Sequence, residues 1–441
     1  MPMRMAYSAK NELMIKQIAA IAKTHVFSVL AFSIFGLMFA MRPVTWLPTL
    51  ILLGCAIAAV VNQGFRCKLM TVASGKDLRW VVVAFAGWFA ACLMVGLWHV
   101  GLSKHAFPEN PFRIFLALGV LALTVHKASK KWFITGLLVA SVCVALNVLY
   151  GYVAYDDYFP RISGTTNHPI HFGNFSALLA VLLISVALLG RGYKAALRAL
   201  CLSGALLALG ATVASQSRSS FGALLCLAPL CVVAKTDLFH RWTLRVTYVL
   251  TIAVTLLVAT TPSLQEKLRL TTVVSDIEMI EANNYQGSVG SRLAMWKAAW
   301  SMFEAHPIVG IGPHKFQAEF IKKMQAGEVP RADAEHNQPH NDILNAASTG
   351  GVLKLMAYLF LMVGPFAFFY KKYKSNQLNL DARMLPIMGI QVVFVFFITG
   401  LTNSNFDLQI YSTAYAVVVC VLARLIEFEQ ALLDSAALGS R

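Results

Sequence analysis

Long apolar runs separated by short polar segments dominate the chain. A helix that crosses a bilayer needs about 20 mostly apolar residues, and twelve runs approach that length. The pattern predicts an all-α polytopic membrane protein with about 12 transmembrane helices. The predicted spans are 26–41, 45–62, 81–100, 112–126, 132–153, 172–190, 195–214, 220–234, 246–262, 351–370, 384–402 and 408–425.

The composition agrees with a chain that is solvated by lipid. Only 13% of the residues are charged and 58% are hydrophobic, whereas a soluble domain carries about 25% charged residues. A net charge of +16 could suggest nucleic acid as a partner, but the charges punctuate apolar runs rather than form one patch, so we expect none. The 8 cysteines lie outside the long polar segments, which argues against a disulfide framework or a cysteine metal site.

The distribution of basic residues predicts the orientation. If the N-terminus is cytoplasmic, 23 of the 37 Lys and Arg residues fall on the cytoplasmic side, and nine of the rest lie in residues 263–354. Loops of that length translocate largely regardless of charge. We therefore expect both termini in the cytoplasm, with residues 1–24 forming a short amphipathic helix rather than a cleaved signal.

One long outer loop is expected to carry function. Residues 263–350 form a segment of nearly ninety residues, and loops of that length are usually functional. Within this segment, apolar spacing predicts helices at Ser291–His306 and His314–Gln325. The expected organisation is residues 1–262 with spans 1–9, a periplasmic loop domain at 263–350, and residues 351–441 with spans 10–12 and a cytoplasmic C-terminus.

Three arginines and four histidines are predicted to share the outer face. Arg218 could extend to the headgroups alone, and Arg292 could simply form an ion pair on its helix. Several outward arginines with few acids nearby instead suggest an anionic ligand, because guanidinium groups match phosphate oxygens bidentately. The seven residues are Arg161, Arg218, Arg292, His168, His171, His336 and His340.

His340 is the candidate base, because a free imidazole titrates near pH 6.5 and can accept a proton at neutral pH. It could equally be a structural hydrogen-bonding residue.

Metal-binding patterns on this face are weak. The histidine pairs are interrupted by prolines and lack a third ligand, so no metal is expected. Asp156 and Asp157 could hold a divalent cation beside a pyrophosphate, but we favour an exposed interfacial pair. Asn403, Asn405 and Asp407 line the site or cap helices.

Three short motifs resemble those of the O-antigen ligase and polymerase superfamily. The run 340–351 is similar to its His-Asn…Gly-x-x-Gly signature. The runs 290–296 and 306–312 together resemble its second motif, and 217–219 resembles its short arginine turn. The predicted layout, with one large loop between the ninth and tenth spans, is also similar to the family plan.

The resemblance implies a GT-C-like membrane enzyme at the periplasmic face of the bacterial cell inner membrane. Such an enzyme moves a glycan from an undecaprenyl pyrophosphate carrier to an acceptor, without a cofactor. The compact plan is most similar to the ligase, whose acceptor is the lipid A-core oligosaccharide of lipopolysaccharide. The resemblance implies His340 as the catalytic base and the following substrate-binding residues: Arg218, Arg292, Arg161, His336, Asn341 and His171.

Alternative functions share parts of this pattern. An O-antigen polymerase or a protein O-oligosaccharyltransferase of the same superfamily would use the same chemistry on another acceptor. A lipid-linked glycan transporter is the non-enzyme alternative, although transporters commonly place ionisable residues near the bilayer midplane, and the spans here are nearly free of charge. No glycine-rich nucleotide loop is present, which argues against a soluble nucleotide-activated donor.

Overall fold

A computed structural model of the chain describes residues 25–36, 39, 46–154, 161–227, 271–332, 335–375 and 380–439. None of these residues lies in a β-strand, which confirms the predicted all-α class. The helices are α1 (His25–Gly36), α2 (Trp46–Val61), α3 (Gln63–Ala73), α4 (Arg79–Val100), α5 (Glu109–Leu116), α6 (Ser129–Ala154), α7 (Pro169–Leu189), α8 (Ala195–Ala214), α9 (Arg218–Ala223), α10 (Thr271–Glu281), α11 (Ser288–Ala305), α12 (Phe316–Gln325), α13 (Asp342–Ser375), α14 (Leu380–Gly400) and α15 (Gln409–Gly439).

Six of the described helices are long and apolar enough to cross a membrane, namely α4, α6, α7, α8, α13 and α14. Helices α2 and α3 meet at 107° and form either one broken span or a re-entrant loop. This confirms a polytopic membrane protein. The total of twelve spans stays a prediction, because the predicted span 246–262, part of 220–234 and the predicted helix over 1–24 lie outside the described residues.

The segment predicted as a span at 112–126 takes a shorter form. The eight residues of α5 continue into a 3-10 helix at Ala117–Ala122, whose residues are all buried. With rises of 1.5 and 2.0 Å per residue, the two pieces cover only about 24 Å, less than the ~30 Å hydrocarbon core. The small residue Gly119 allows a very close approach, since a β-carbon there would lie 2.6 Å from Cβ of Cys55.

Helices α7, α14 and α15 lie at the centre of the bundle. In α7, 89% of the apolar window is buried, against 33% in α8. Nearly every residue of α15 between Tyr411 and Ala423 is buried. A helix that is apolar all round is expected in such a central position, whereas helices such as α8 keep one apolar face for lipid.

One end of the bundle is held by ion pairs. Asp77, just before α4, lies 2.6 Å from Nζ of Lys371 and 2.8 Å from Nζ of Lys372 at the end of α13. Lys372 also lies 2.6 Å from Glu427 of α15. Helices α4 and α13 are therefore antiparallel, and the start of α13 lies at the opposite end of the bundle, with the polar loops.

The loop segment contains its own small core. The predicted helices at Ser291–His306 and His314–Gln325 are confirmed as α11 and α12. Their apolar faces pack together through a cluster that is separate from the core of the bundle. The buried side chains of this cluster include Met295, Met302, Phe316 and Phe320.

A backbone crossing joins this segment to α13. The helix is broken at Gly351, where φ is 61° and ψ is −158°, a combination essentially confined to glycine. The extended segment Pro307–Gly312 runs across the break: Val352 N donates to Pro307 O at 2.7 Å, and Ile311 N donates to Ser348 O at 2.9 Å. These bonds satisfy backbone groups that the broken helix leaves unpaired.

We predict that Gly351→Ala lowers the free energy of unfolding by at least about 2 kcal/mol. A β-carbon there would lie 2.3 Å from the backbone of Ile308, in addition to the strained φ. Thermal unfolding of the purified protein in detergent measures the effect. Gly87→Ala, where an added β-carbon meets nothing within 4 Å, is the control. Equal stability of the two variants would contradict the role of the crossing.

Candidate active site

Arg161, Arg218 and Arg292 come from three separate segments and meet at the loop end of the bundle. Arg218 is the first residue of α9, and Arg161 lies in the loop before α7, with its Nε 3.4 Å from the carbonyl oxygen of Ser215. Arg292 lies in the first turns of α11. Burial lowers the pKa of Arg292, and the nearby charge of Arg218 lowers it further. The carboxylate of Asp276 acts in the opposite direction, so Arg292 lies within electrostatic range of one cation and one anion of the protein itself.

A network of neutral side chains holds the arginine turn against the bundle. The Oδ1 atom of Asn174 accepts hydrogen bonds from Ser219 Oγ at 3.1 Å and from Ser220 Oγ at 2.9 Å. The Nδ2 atom of Asn174 donates to Tyr411 OH at 2.9 Å. This buried network spans α7, α9 and α15, so it fixes the place where Arg218 leaves the bundle.

His340 stands at the start of α13 in a strained conformation. Its φ is +49°, which is uncommon for a residue other than glycine. Trp296 Nε1 donates to the carbonyl oxygen of Pro339 at 3.0 Å, and so ties this turn to α11. The imidazole lies against His336, with 3.4 Å between Nε2 of His340 and Nδ1 of His336. Helix α11 thus positions both Arg292 and the turn that carries His340.

The surroundings of His340 favour a neutral imidazole. Burial lowers its pKa to about 4, and the charges of His336 and Arg292 act in the same direction. A hydrogen bond with Asn403 acts against them. At neutral pH the ring is therefore unprotonated and has a nitrogen lone pair with which to accept a proton.

His168 and His171 approach the same region from the start of α7. Their ring centroids lie 4.8 Å apart, and Nδ1 of His171 lies 3.3 Å from Tyr411 OH. The Nδ1 atom of His168 accepts a hydrogen bond from Ile170 N at 3.3 Å, so this ring caps the helix. Burial and the charge of Arg161 lower the pKa of His168.

Asn341 has a structural position. Its Oδ1 atom accepts hydrogen bonds from Ile343 N at 3.0 Å and Leu344 N at 3.1 Å, which caps α13. Its Nδ2 atom donates to Leu401 O at 3.2 Å. A substrate contact by Asn341 stays a prediction, and the side chain aligns the helix start that carries His340.

The sequence left open whether the polar residues after α14 line the site or cap helices, and the structure shows both roles among Asn403, Asn405 and Asp407. Asn405 donates to Phe396 O at 3.1 Å and to Thr399 Oγ1 at 2.9 Å, so it caps the end of α14. Asn403 instead reaches His340 and acts on its pKa. Asp407 accepts a hydrogen bond from Asn345 Nδ2 at 2.8 Å and faces the other side of α13.

Sequence reasoning missed Asn174, Tyr411 and Trp296. The signal for Asn174 was available, because an amide inside an apolar span must find a partner. Tyr411 gave no comparable signal, since it stands at the polar end of its helix, where tyrosine is common in any membrane protein.

The two histidine pairs, His168 with His171 and His336 with His340, do not form a metal site in the described part of the chain. Among the described residues, no group of three or more His, Cys, Asp or Glu side chains is arranged to hold a metal ion. Asp156 and Asp157 lie outside the described residues.

The arrangement combines fixed positive charge with a neutral base. Three guanidinium groups can bind an anion such as a pyrophosphate, and the imidazole of His340 can accept a proton near them.

Part of the chain matches a known protein family. Residues 203–359 match the family described as O-Antigen ligase, and this stretch contains Arg218, Arg292, His336 and His340. Members of that family are membrane enzymes of glycosyltransferase or ligase type. An uncharacterized protein of Haemophilus influenzae is 26% identical over 143 residues, which cover 32% of this chain and 35% of that protein. The chain thus spans about a third of the length of this relative. The match over residues 203–359 supports the place of this chain in the O-antigen ligase and polymerase superfamily.

Proposed function

We propose that this protein is an O-antigen ligase. It transfers a glycan from undecaprenyl pyrophosphate to the lipid A-core oligosaccharide at the periplasmic face of the inner membrane. The observation that carries the proposal is the grouping of Arg292 beside Arg218 and a neutral His340, with Arg161 beside the neighbouring His168, at one end of an apolar helix bundle. A lipid-linked pyrophosphate can reach such a site from the bilayer surface.

The arginines bind the pyrophosphate of the donor. The charge of Arg218 disfavours that of Arg292 even with Asp276 nearby, and an anion bound between the two arginines reduces this repulsion. Their planar donors suit bidentate contact with phosphate oxygens. As the bond between the anomeric carbon and the phosphate oxygen breaks, they stabilise the charge that develops on the departing pyrophosphate.

His340 acts as the general base in one displacement. The acceptor hydroxyl oxygen attacks the anomeric carbon from the side opposite the leaving group, and its proton passes to the imidazole. The bonding electron pair of the broken C–O bond leaves with the undecaprenyl pyrophosphate, and the anomeric configuration is inverted. His336 and His171 contact the substrates beside this base, and the step requires neither a metal nor a cofactor.

The low pKa of His340 suits the order of events. The imidazole stays neutral before the donor arrives, because burial and Arg292 disfavour its protonated form. Once the donor is bound, its negative charge raises the pKa of the ring. The base therefore becomes stronger when both substrates are in place, and general-base catalysis of this kind contributes about 10²–10⁴-fold.

A polymerase or a protein O-oligosaccharyltransferase would use the same residues. The acceptor distinguishes these functions, because the catalytic chemistry is shared. Glycan attached to lipid A-core identifies the ligase, whereas a ladder of lipid-linked chain lengths without core attachment identifies the polymerase.

We predict that His340→Ala lowers the rate of glycan transfer at least about 100-fold, because it removes the base. The assay uses purified protein in liposomes with undecaprenyl-pyrophosphate-linked glycan and lipid A-core, read by gel mobility. His306→Ala, at an exposed position, should retain activity. If the His340→Ala variant transfers glycan at the wild-type rate, His340 is not the base. If the wild-type protein transfers no glycan to lipid A-core, the proposed ligase function is wrong.

The pH profile gives a second prediction. A lowered pKa keeps His340 unprotonated to lower pH, so kcat/KM should stay level from pH 8 to pH 5 and fall only near its pKa of about 4. Arg292→Gln removes a charge that lowers the pKa of His340. In this variant, the fall of kcat/KM on the acidic side of the profile (the acidic limb) should therefore occur at higher pH. Arg331→Gln, at an exposed position, should leave the limb in place. A wild-type limb near 6.5 would mean that the imidazole behaves as a free one.

Chemical labelling tests the proposed orientation. Cys67 is exposed on α3, at the predicted cytoplasmic side, and Gln325 is exposed at the end of α12. In spheroplasts, a membrane-impermeant maleimide should label Gln325→Cys in a Cys67→Ser background but leave native Cys67 unmodified until the membrane is permeabilised. The reverse result would place the arginines on the cytoplasmic side.

A further inference from the structure

A cavity lies beside the residues of the candidate active site. It has a volume of about 580 Å³, within the range of about 300–1,000 Å³ that small-molecule sites occupy. Its floor is formed by α13, and its walls come from the segment between α4 and α5, the start of α12 and the residues after α14. Its lining residues do not include the three arginines, and they do not include His171, His336 or His340.

The cavity extends to the turn that carries His340. Asn337 and Gln338, three and two residues before His340, line the cavity. The imidazole of His340 instead feels the charge of Arg292. A group held in the cavity therefore lies beside this turn and away from the side chains of Arg218 and Arg292, which do not line it.

The charge of the cavity differs from that of the arginine site. Its two lysines, Lys104 and Lys354, are matched by two carboxylates, Glu109 and Asp407, and the lining also includes His105 and His314, which are counted as neutral here. A lining with balanced charge has no net attraction for phosphate, in contrast to three converging guanidinium groups. The cavity is therefore suited to a ligand that is polar and uncharged.

The floor of the cavity is preorganised by its own hydrogen bonds. Asn345 Nδ2 donates to Asp407 Oδ2 at 2.8 Å, and Asn110 Nδ2 donates to Asp407 O at 2.6 Å. Lys354 Nζ donates to Thr349 Oγ1 at 3.0 Å. A carboxylate oxygen has further acceptor capacity and an ammonium has further donors, so these groups can also bind a ligand.

The wall adds side-chain amides and an exposed aromatic ring. Within the described part of the chain, the amides of Asn337 and Gln338 form no hydrogen bond, and Gln317 lies opposite them on α12. Phe107, at the edge, is 44% exposed. Amides and carboxylates pair with neighbouring hydroxyl groups, while a ring face can cover the apolar face of a sugar.

We propose that this cavity binds the uncharged saccharide of the acceptor, an inference that rests on the proposed function. The pyrophosphate of the donor occupies the arginine side, so an in-line displacement requires the attacking hydroxyl to come from the opposite side. The cavity provides that approach. It holds the sugar beside the turn that carries His340, and its lining selects which acceptor is used.

Binding of the free saccharide tests the cavity without any transfer reaction. The probe is core oligosaccharide released from lipid A by mild acid, titrated into wild-type protein in lipid nanodiscs and followed by saturation-transfer NMR. Gln317→Leu removes one amide from the wall and should weaken binding about tenfold. Gln325→Leu, on the same helix but outside the cavity, should bind as the wild type does. Undiminished binding by Gln317→Leu and by a cavity-filling Gln317→Trp would overturn the inference.

Steady-state kinetics separate this role from a structural one. In Gln317→Leu, the KM for the acceptor should rise about tenfold, while the KM for the donor and the acidic limb set by His340 stay unchanged. Asn337→Ala, at an exposed loop position, should act in the same way and serves if the α12 variants fold poorly. A parallel rise in both KM values would contradict a site for the acceptor alone.

The two proposals fail in different ways. If wild-type protein binds the oligosaccharide in this cavity but transfers no glycan to lipid A-core, the proposed ligase function is wrong and the saccharide site remains. If transfer proceeds but the cavity variants bind and turn over acceptor as the wild type does, the ligase remains and the saccharide site is wrong.

Discussion

The backbone crossing between Pro307–Gly312 and the break in α13 is the constraint on which the rest of the site depends. Arg292 lies on α11 and His340 lies at the start of α13. The contact that joins these two helices therefore fixes the position of one side chain relative to the other. Hydrogen bonds between main-chain atoms make that joint, and the absence of a side chain at Gly351 allows it. A backbone contact of this kind cannot be replaced by another pair of side chains, because no β-carbon fits in it.

The electrostatics of the site follow from that placement. Arginine keeps its charge in any protein environment, so bringing Arg218 and Arg292 together leaves a repulsion that an anion relieves. The same charge lowers the pKa of His340 and keeps its ring neutral. In the proposed function, the same cations bind the pyrophosphate and keep the neighbouring base neutral. A cavity with balanced charge lies beside the turn that carries this base.

Much of the fold was predictable from local patterns. The helical spacing of apolar residues correctly predicted α11 and α12, because a helix that buries one face must repeat its apolar positions every three to four residues. The same reasoning was wrong about the form of 112–126. There an eight-residue helix continues into a 3-10 helix, and Gly119 packs closely on Cys55. Apolar content alone does not distinguish this form from a full span.

For the site, the sequence by itself determined which residue types were available and predicted that they share one face. The alternation of apolar spans and basic loops predicts one side of the membrane for Arg161, Arg218, Arg292 and His340. Charged residues are excluded from the hydrocarbon core and therefore fall in loops, and the number of spans between two loops decides whether they share a side. Only the tertiary structure decided how close these residues lie to one another. It also decided that Asn403 contacts His340 whereas Asn405 caps α14, and that a cavity lies beside the site. These depend on contacts between segments far apart in the chain, and a one-dimensional pattern carries no information about which distant backbones touch.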